Sequence, residues 1–351
     1  MVILPVPVQT LYAELVEQLV ALDARRSMGH APGAFVTKRL KRGTYYYFQY
    51  SEPGGTTRQA YIGPRSPALD ALVGRYATER DALRADRRSV EALCAALRAG
   101  GATTTDARSA RVLGALAEAG VFKLGAAVVG THAFLVLGNV LGVRWTGAAS
   151  RTEDVDIAAE RSLEVAVPEL RADVPSVLDS LGMGFLPVPG FSARAPSTSF
   201  RVRGKPLRVD LVTPARGSAT APVTIPRLNA AAAPLHFLDY LLEDLQPAAV
   251  IDGGGILVNV PHAARFAVHK LLVAQDRPLA FQAKSRKDVA QAAHVLRALD
   301  ELRPGDVALA VTNAIDRGKG WRAALRRGTA MLERADAHAA SILTRGLPAA
   351  R

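Results

Sequence analysis

Cysteine is nearly absent from this sequence. Cys94 is the only one in 351 residues, which excludes a disulfide framework and a cysteine-built metal cluster. It lies in "VEALCAALRAG", an apolar helical pattern, and reads as a buried, inert thiol. Long hydrophobic runs are lacking too. Even "LGAAVVGTHAFLVLGNVLG" is broken by glycines, a histidine and an asparagine, short of the roughly 18 apolar residues a membrane span needs. The opening "MVILPVPVQTLYAELVEQLVALDARR" has no basic leader and carries Glu14 and Glu17, so a cytoplasmic protein is expected. Acidic residues are the minority charge, 32 Asp+Glu against 44 Lys+Arg, for a net +12. That balance suits phosphate-bearing partners, nucleic acid more than an anionic membrane, although codon bias toward Arg and Ala produces the same excess.

What is present is a 49% hydrophobic chain, enough for one large core or a few smaller ones. Residues 9–27 have helical spacing, and "GHAPG" then interrupts. "FVTKRLKRGTYYYFQYSEPGGTTRQAYIGP" reads as a β-hairpin over about 35–63, with Pro53-Gly54-Gly55 as its turn. Lys38, Arg39, Lys41 and Arg42 precede Tyr45, Tyr46, Tyr47, Phe48 and Tyr50. Such a pairing can hold a nucleic acid through phosphates and stacked bases, or serve as a basic outer face with tyrosines packed on a neighbour. Helices follow from Ser66 to about Gly120, like a connecting arm. Strand signals then recur at 154–158, 163–167, 199–203, 207–213, 249–252 and 256–260, and helices resume after Pro261. The expected organisation is an N-terminal part, 1–120, an α/β or α+β core, 121–260, and a helical part, 261–351.

Three acidic residues fall within four positions in "RTEDVDIA". The strand period of two sends Asp154 and Asp156 to one face and Val155 and Ile157 to the other, with Glu153 on the wrong side for the pair. In "FRVRGKPLRVDLVTP", a hairpin turning at Gly204-Lys205-Pro206, Asp210 sits inside an apolar, β-branched run where a lone carboxylate is costly. Together the three would form an all-oxygen site suited to Mg²⁺ or Mn²⁺. Upstream, "AAVVGTHAFLVLG" places Gly130-Thr131 where a strand turns into a helix, offering backbone N–H groups and a hydroxyl to a phosphate.

These motifs resemble the DNA polymerase β-like nucleotidyltransferase superfamily, with its Gly-Gly or Gly-Ser turn, apolar-Asp-apolar-Asp strand and later strand Asp. Here Gly130-Thr131, Asp154 with Asp156, and Asp210 take those places, and Thr stands where Ser or Gly is usual. "RTEDVDIA" and "HKLLVAQDRPLAFQAKSRKDVAQA" look like segments of AbiEii-type toxins, and the Tyr-rich hairpin followed by "YIGP" resembles an uncharacterised bacterial family of nucleotidyltransferase fold. The resemblance implies an α+β fold with a mixed-sheet core and metal-dependent transfer of NMP from an NTP to a hydroxyl, releasing pyrophosphate. It assigns metal binding to Asp154, Asp156 and Asp210, and triphosphate contacts to Gly130, Thr131, Arg151, Lys270 and Lys287. The acceptor it suggests is RNA, such as a tRNA end, reached through Lys38, Arg39, Lys41 and Arg42.

Several residues have blander readings. Arg151 can pair with Glu153 or Asp156. Lys270 and Arg277, seven apart, share a helix face that solvent alone would explain. His132, His262 and His269 lack ligand spacing and read as structural, while the long interval from Gly130 to Asp154 leaves His132 and Arg144 without an assigned role. "IDGGGILVNV" reads as a glycine-rich hairpin rather than a phosphate loop. Competing functions are a protein-modifying enzyme, a degenerate member that binds nucleotide or RNA without chemistry, and an Asp-x-Asp glycosyltransferase. The last explains neither the Gly-Thr turn nor Asp210.

Overall fold

The computed structural model describes residues 1–25, 33–51, 57–147, 152, 154–161, 171–189, 196–217 and 220–345, the side chains of Ser51 and Leu279 excepted. The first strand, β1 (Val2–Ile3), leads through Pro5 into α1 (Val6–Ala24). Val8, Tyr12, Leu15 and Leu19 recur at helical spacing and are buried. Three strands follow, β2 (Ala34–Leu40), β3 (Gly43–Ser51) and β4 (Thr57–Pro64), paired antiparallel in that order. The expected single hairpin is therefore a three-stranded meander. Its first turn falls at Lys41-Arg42, between the paired Leu40 and Gly43, and Gly43, at φ +141°, supplies the unusual backbone. The expected turn Pro53-Gly54-Gly55 lies outside the described residues.

Next comes α2 (Pro67–Ala99), whose Ser66 cap accepts a hydrogen bond from the Leu69 N–H. At 33 residues it is about 50 Å long. Its N-terminal half carries the meander, through Phe35 and Phe48 packed edge-on to Tyr76. Its C-terminal half buries Val90, Leu93, Cys94 and Leu97 against α1. Burial pushes the Cys94 thiol up to about 11, as expected for an inert group. α3 (Ala107–Glu118) starts at Asp106, whose carboxylate accepts from the Arg108 and Ser109 N–H groups.

The central sheet begins with β5 (Ala127–Val129), which runs straight into α4 (Gly130–Val140). After β6 (Val143–Arg144), paired with β1, comes β7 (Asp154–Ala158). Further on lie α5 (Val174–Ser180), β8 (Phe185–Pro187), β9 (Ser199–Val202), β10 (Arg208–Pro214), β11 (Val223–Ile225) and β12 (Ala230–Leu235). The strand order is β11-β12-β10-β7-β5, with β9 also paired to β10 and to β8. β10 runs parallel to β7 and β12, whereas β5 and β9 are antiparallel to their neighbours. This is a mixed sheet, and the protein is α+β. The strand expected at 163–167 lies outside the described residues.

The remaining elements are α6 (Leu238–Leu242), the hairpin β13 (Leu245–Val250) and β14 (Ile256–Pro261), then α7 (Ala263–Ala274), α8 (Gln282–Leu302), α9 (Asp306–Ile315), α10 (Lys319–Ala335) and α11 (Ala337–Arg345). The Gly-rich "IDGGGILVNV" is this hairpin's turn, closed by Asp252, which accepts from the Gly254 and Gly255 N–H groups. One apolar cluster runs continuously from Ala110 to Leu343, so the sheet and the C-terminal helices share a core. A second cluster joins α1 and α2 to Ala249 and Ile251 of the hairpin region. Tyr12 locks that contact, its hydroxyl donating to the Ala249 carbonyl at 3.0 Å and accepting from its N–H at 3.1 Å. Among the described residues, no helix is long and apolar enough to cross a membrane.

Candidate active site

The Asp-x-Asp alternation is realised as expected. Val155 and Ile157 are fully buried, 0% and 1% exposed, and the two aspartates face the other way, each half-buried. On β10, Val209 and Leu211 pair with Val155 and Ile157, so Asp210 stands in register beside Asp156 and Arg208 beside Asp154. A parallel register thus puts Asp154, Asp156 and Asp210 on one face. Antiparallel β5 adds its last residue, Val129, opposite Asp156, which delivers the start of α4 to the same place.

Gly130 occupies that junction with φ +64°. A Cβ there would collide with the Asp156 carboxylate, so the glycine is required both by its backbone and by the close approach of the acid. Gly130→Ala is expected to lower stability by at least about 1–2 kcal/mol, the cost of the left-handed conformation alone. Thermal denaturation measures it; an unchanged midpoint would show that the turn relaxes freely.

The carboxylates sit in a graded field. Desolvation first, and then repulsion from Asp210, push the Asp156 carboxyl up to about 7, against the opposing pull of Lys270 and Lys284. Asp210 Oδ1 accepts from Arg208 Nε–H at 2.7 Å, and the same Nε–H also donates to Ser199 Oγ at 2.7 Å. The three carboxylates share a face, yet among the described residues no group of three or more His, Cys, Asp or Glu side chains is gathered to hold a metal ion, and Asp210 is turned toward Arg208. The donor set itself, oxygen only and partly desolvated with like charges side by side, is the chemistry a hard divalent cation neutralises.

Helices α7 and α8 close the opposite side. Lys270, 8% exposed, does not stand ready for a phosphate: Nζ is held by Asp288 Oδ1 at 2.7 Å, and Arg277 Nε takes Oδ2 of the same carboxylate at 2.6 Å. Arg277 lies beyond the end of α7, so the two cations share no helix face; the bend after the helix brings both onto one buried acid. Burial opposes ionisation of Asp288, but the two cations hold its carboxyl below the usual range. Desolvation, followed by Lys270, lowers the Lys287 pKa, while Asp288, Asp154 and Asp156 pull it the other way. Gln291 donates to Thr131 Oγ1 at 3.3 Å, tying α8 to the Gly-Thr turn. Arg151 and Glu153 lie outside the described residues. Lys38, Arg39, Lys41 and Arg42 belong to the meander and do not join this cluster.

The histidines show no ligand grouping with one another or with acidic side chains among the described residues. His132 is 1% exposed and burial lowers its pKa to about 4; His269 is buried in α7, lowered to about 3; His262 precedes α7 as its cap residue. His132, Arg98, Arg144, Trp145 and Thr152 line an open cavity of about 1030 Å³. Thr152 connects it to the acidic strand, its hydroxyl accepting from the Asp154 N–H at 3.2 Å. Asn139 fixes the opposite rim through two 2.8 Å bonds with the Thr103 backbone. Sequence reading missed Arg208, Lys284 and Gln291. Only the strand period pointed to Arg208, two residues before Asp210, and nothing local marked the other two.

A Gly-Thr turn at a helix start, an acidic strand pair and an in-register third acid thus stand together on one face of the central sheet. Residues 107–316 match the nucleotidyltransferase family, and the chain belongs to it. The protein is therefore a transferase with a nucleotide among its substrates. The match is to nucleotidyltransferases in general, without the AbiEii-type likeness. An antigenic nucleotidyltransferase-like protein from Paracoccidioides brasiliensis is similar in structure over 63% of this chain and 94% of its own, at 14% identity and a TM-score of 0.33. Among curated proteins none matches the chain.

Proposed function

We propose that the protein transfers a nucleoside monophosphate from an NTP to a hydroxyl acceptor and releases pyrophosphate. The observation that supports this reading most is the register of Asp156 with Asp210 beside the Gly130 turn. The acceptor oxygen forms a bond to the α-phosphorus, the bond from that phosphorus to the bridging oxygen breaks, pyrophosphate leaves with the electron pair, and the acceptor's proton passes to solvent water. A Mg²⁺ or Mn²⁺ ion held by Asp154, Asp156 and Asp210 would neutralise the carboxylates and polarise the phosphate being attacked.

The chain's own groups do the positioning. The first N–H groups of α4 point at the site with the positive end of the helix dipole, where terminal phosphates are favoured. Thr131 Oγ1 accepts from Gln291 and offers its own hydrogen to a phosphate oxygen. Lys287, within the electrostatic reach of Asp154 and Asp156, adds positive charge near the acidic pair. Lys270 serves differently from the expectation: locked by Asp288, it holds a fixed positive charge behind Asp156 and does not swing to a phosphate. The cavity at Thr152 gives the acceptor a route to the acidic strand.

Nucleotide binding is testable without knowing the acceptor. An NTP with Mg²⁺ at about 100 times its Kd is expected to stabilise the fold by about 2.7 kcal/mol, seen as a raised melting temperature. Thr131→Val and Lys287→Ala are each expected to shrink that rise. Equal rises in all three proteins would show that the triphosphate sits elsewhere. Transfer itself is read by incubating the protein with each α-labelled NTP, Mg²⁺ and a lysate; label in neither RNA, protein nor small molecules would count against an active enzyme.

A further inference from the structure

The meander has two unlike faces. Strand alternation sends Phe35, Tyr46 and Phe48 toward α2, where Phe35 and Phe48 meet Tyr76 and the Tyr46 hydroxyl donates to Asp70 at 2.6 Å. Asp70 is held in turn by Arg65 at 3.1 Å, and the Tyr76 hydroxyl donates to the Gly33 carbonyl at 2.7 Å. That side is sealed. The sheet is thus a rigid plate mounted on a long helix.

The other face has no covering element among the described residues. Val36, Tyr47 and Tyr61 are cross-strand partners there, with Lys38 and Tyr45 one step along and Gln49 opposite Gln59 one step the other way. The Tyr45 and Tyr47 rings lie 6.1 Å and 5.4 Å from that of Tyr61, which is 56% exposed. Lys38 Nζ stands 4.7 Å above the Tyr47 ring. No acidic residue occurs anywhere in β2, β3 or β4, while Lys41 and Arg42 form the turn at one end and the chain as a whole carries +12. Arg39, by alternation, lies on the α2 side. Three clustered, half-open aromatic rings in a purely basic setting suit a ligand with flat faces and repeated negative charge.

We infer that this face binds the acceptor as single-stranded RNA, bases stacked on Tyr45, Tyr47 and Tyr61 and phosphates held by Lys38, Lys41 and Arg42. The inference rests on the nucleotidyl-transfer reading for the word acceptor, and on the plate alone for binding. Stacking is sequence-tolerant because every base has a π face. RNA is preferred over DNA through the amide pair: Gln59 Nε2 donates to Gln49 Oε1 at 2.9 Å, which leaves the pair a further donor and acceptor for a 2′-hydroxyl.

The test uses the full chain and a fluorescein-labelled 12-nucleotide single-stranded RNA of mixed sequence, read by anisotropy without NTP. Tyr47→Thr with Tyr61→Thr keeps strand propensity and is expected to weaken binding by roughly ten-fold or more per lost stack. Tyr47→Phe with Tyr61→Phe is expected to bind as the unaltered protein does. Both variants should keep the NTP-induced rise in melting temperature, which reports an intact core. An abasic oligonucleotide of the same length should bind weakly, and the DNA of the same sequence less tightly than the RNA. Full affinity in the Thr variant, or equal binding of the abasic strand, overturns the stacking surface; equal binding of DNA overturns the assignment to RNA. Tight stacking-dependent binding by a protein that never transfers label would leave the platform standing and remove the catalytic reading.

Discussion

Replacing Asp156 by Asn is expected to abolish nucleotidyl transfer and, in metal-free buffer, to make the folded protein more stable. The activity loss, on the order of 10²–10³-fold or greater, follows from removing a preorganised charge at the reacting phosphate. The stability gain follows from the raised carboxyl. An Asp that titrates near 7 when folded and near 3.9 when unfolded holds more protons in the folded state. Stability therefore falls as pH rises from about 4 through 7, and the loss is complete above that range. Solvent reaches the half-buried group, which reduces the effect to roughly 2–3 kcal/mol at pH 8. Denaturant melts with a chelator present at pH 4 and pH 8 measure it: the Asn protein should gain on the wild type at pH 8 and hardly at all at pH 4. A gain that is equal at both values would mean that Asp156 carries no strained charge.

Asp288→Ala is expected to be among the most damaging single substitutions in the chain. It would leave the buried Lys270 ammonium, 8% exposed, without its partner and release Arg277 as well. Breaking a buried ion pair from one side costs about 3–5 kcal/mol, which for a chain of this size lowers the melting temperature by roughly 5–10 °C. Because Lys270 also bears on Asp156, the NTP-induced stabilisation should shrink too. Removing both charges, Lys270→Met with Asp288→Leu, should recover most of the stability, since well-packed apolar residues replace a buried pair at little cost, but not the nucleotide response. The lowered Asp288 carboxyl adds a pH signature: its contribution is present above the unfolded value near 3.9 and is lost as pH falls through the lower folded value. A double variant as unstable as the single one would show that packing at 288 matters more than charge.

The sequence by itself determined what depends on local periodicity and composition. The strand period put Asp154 and Asp156 on one face, because alternation is a property of a single extended segment. The Gly130 turn, the hairpin around Gly204 and the glycine-rich loop at 253–255 were legible from short-range backbone preferences. The buried Cys94 and the absence of a membrane-spanning helix among the described residues followed from hydropathy. The basic run before the tyrosines was legible as composition, whereas its division by a turn at Lys41-Arg42 was not, because two-residue turns without a strong signature look like strand.

Only the tertiary structure decided the rest. The parallel pairing that sets Asp210 beside Asp156 joins segments more than fifty positions apart, and no local pattern encodes that register. Whether Lys270 meets a phosphate or a carboxylate depended on α8 packing against α7, which brings Asp288 within 2.7 Å. The continuity of one core from α3 to α11 and the open tyrosine face of the meander likewise arise from which surfaces find each other. Periodicity tells a residue which way to point; packing alone tells it what it will meet.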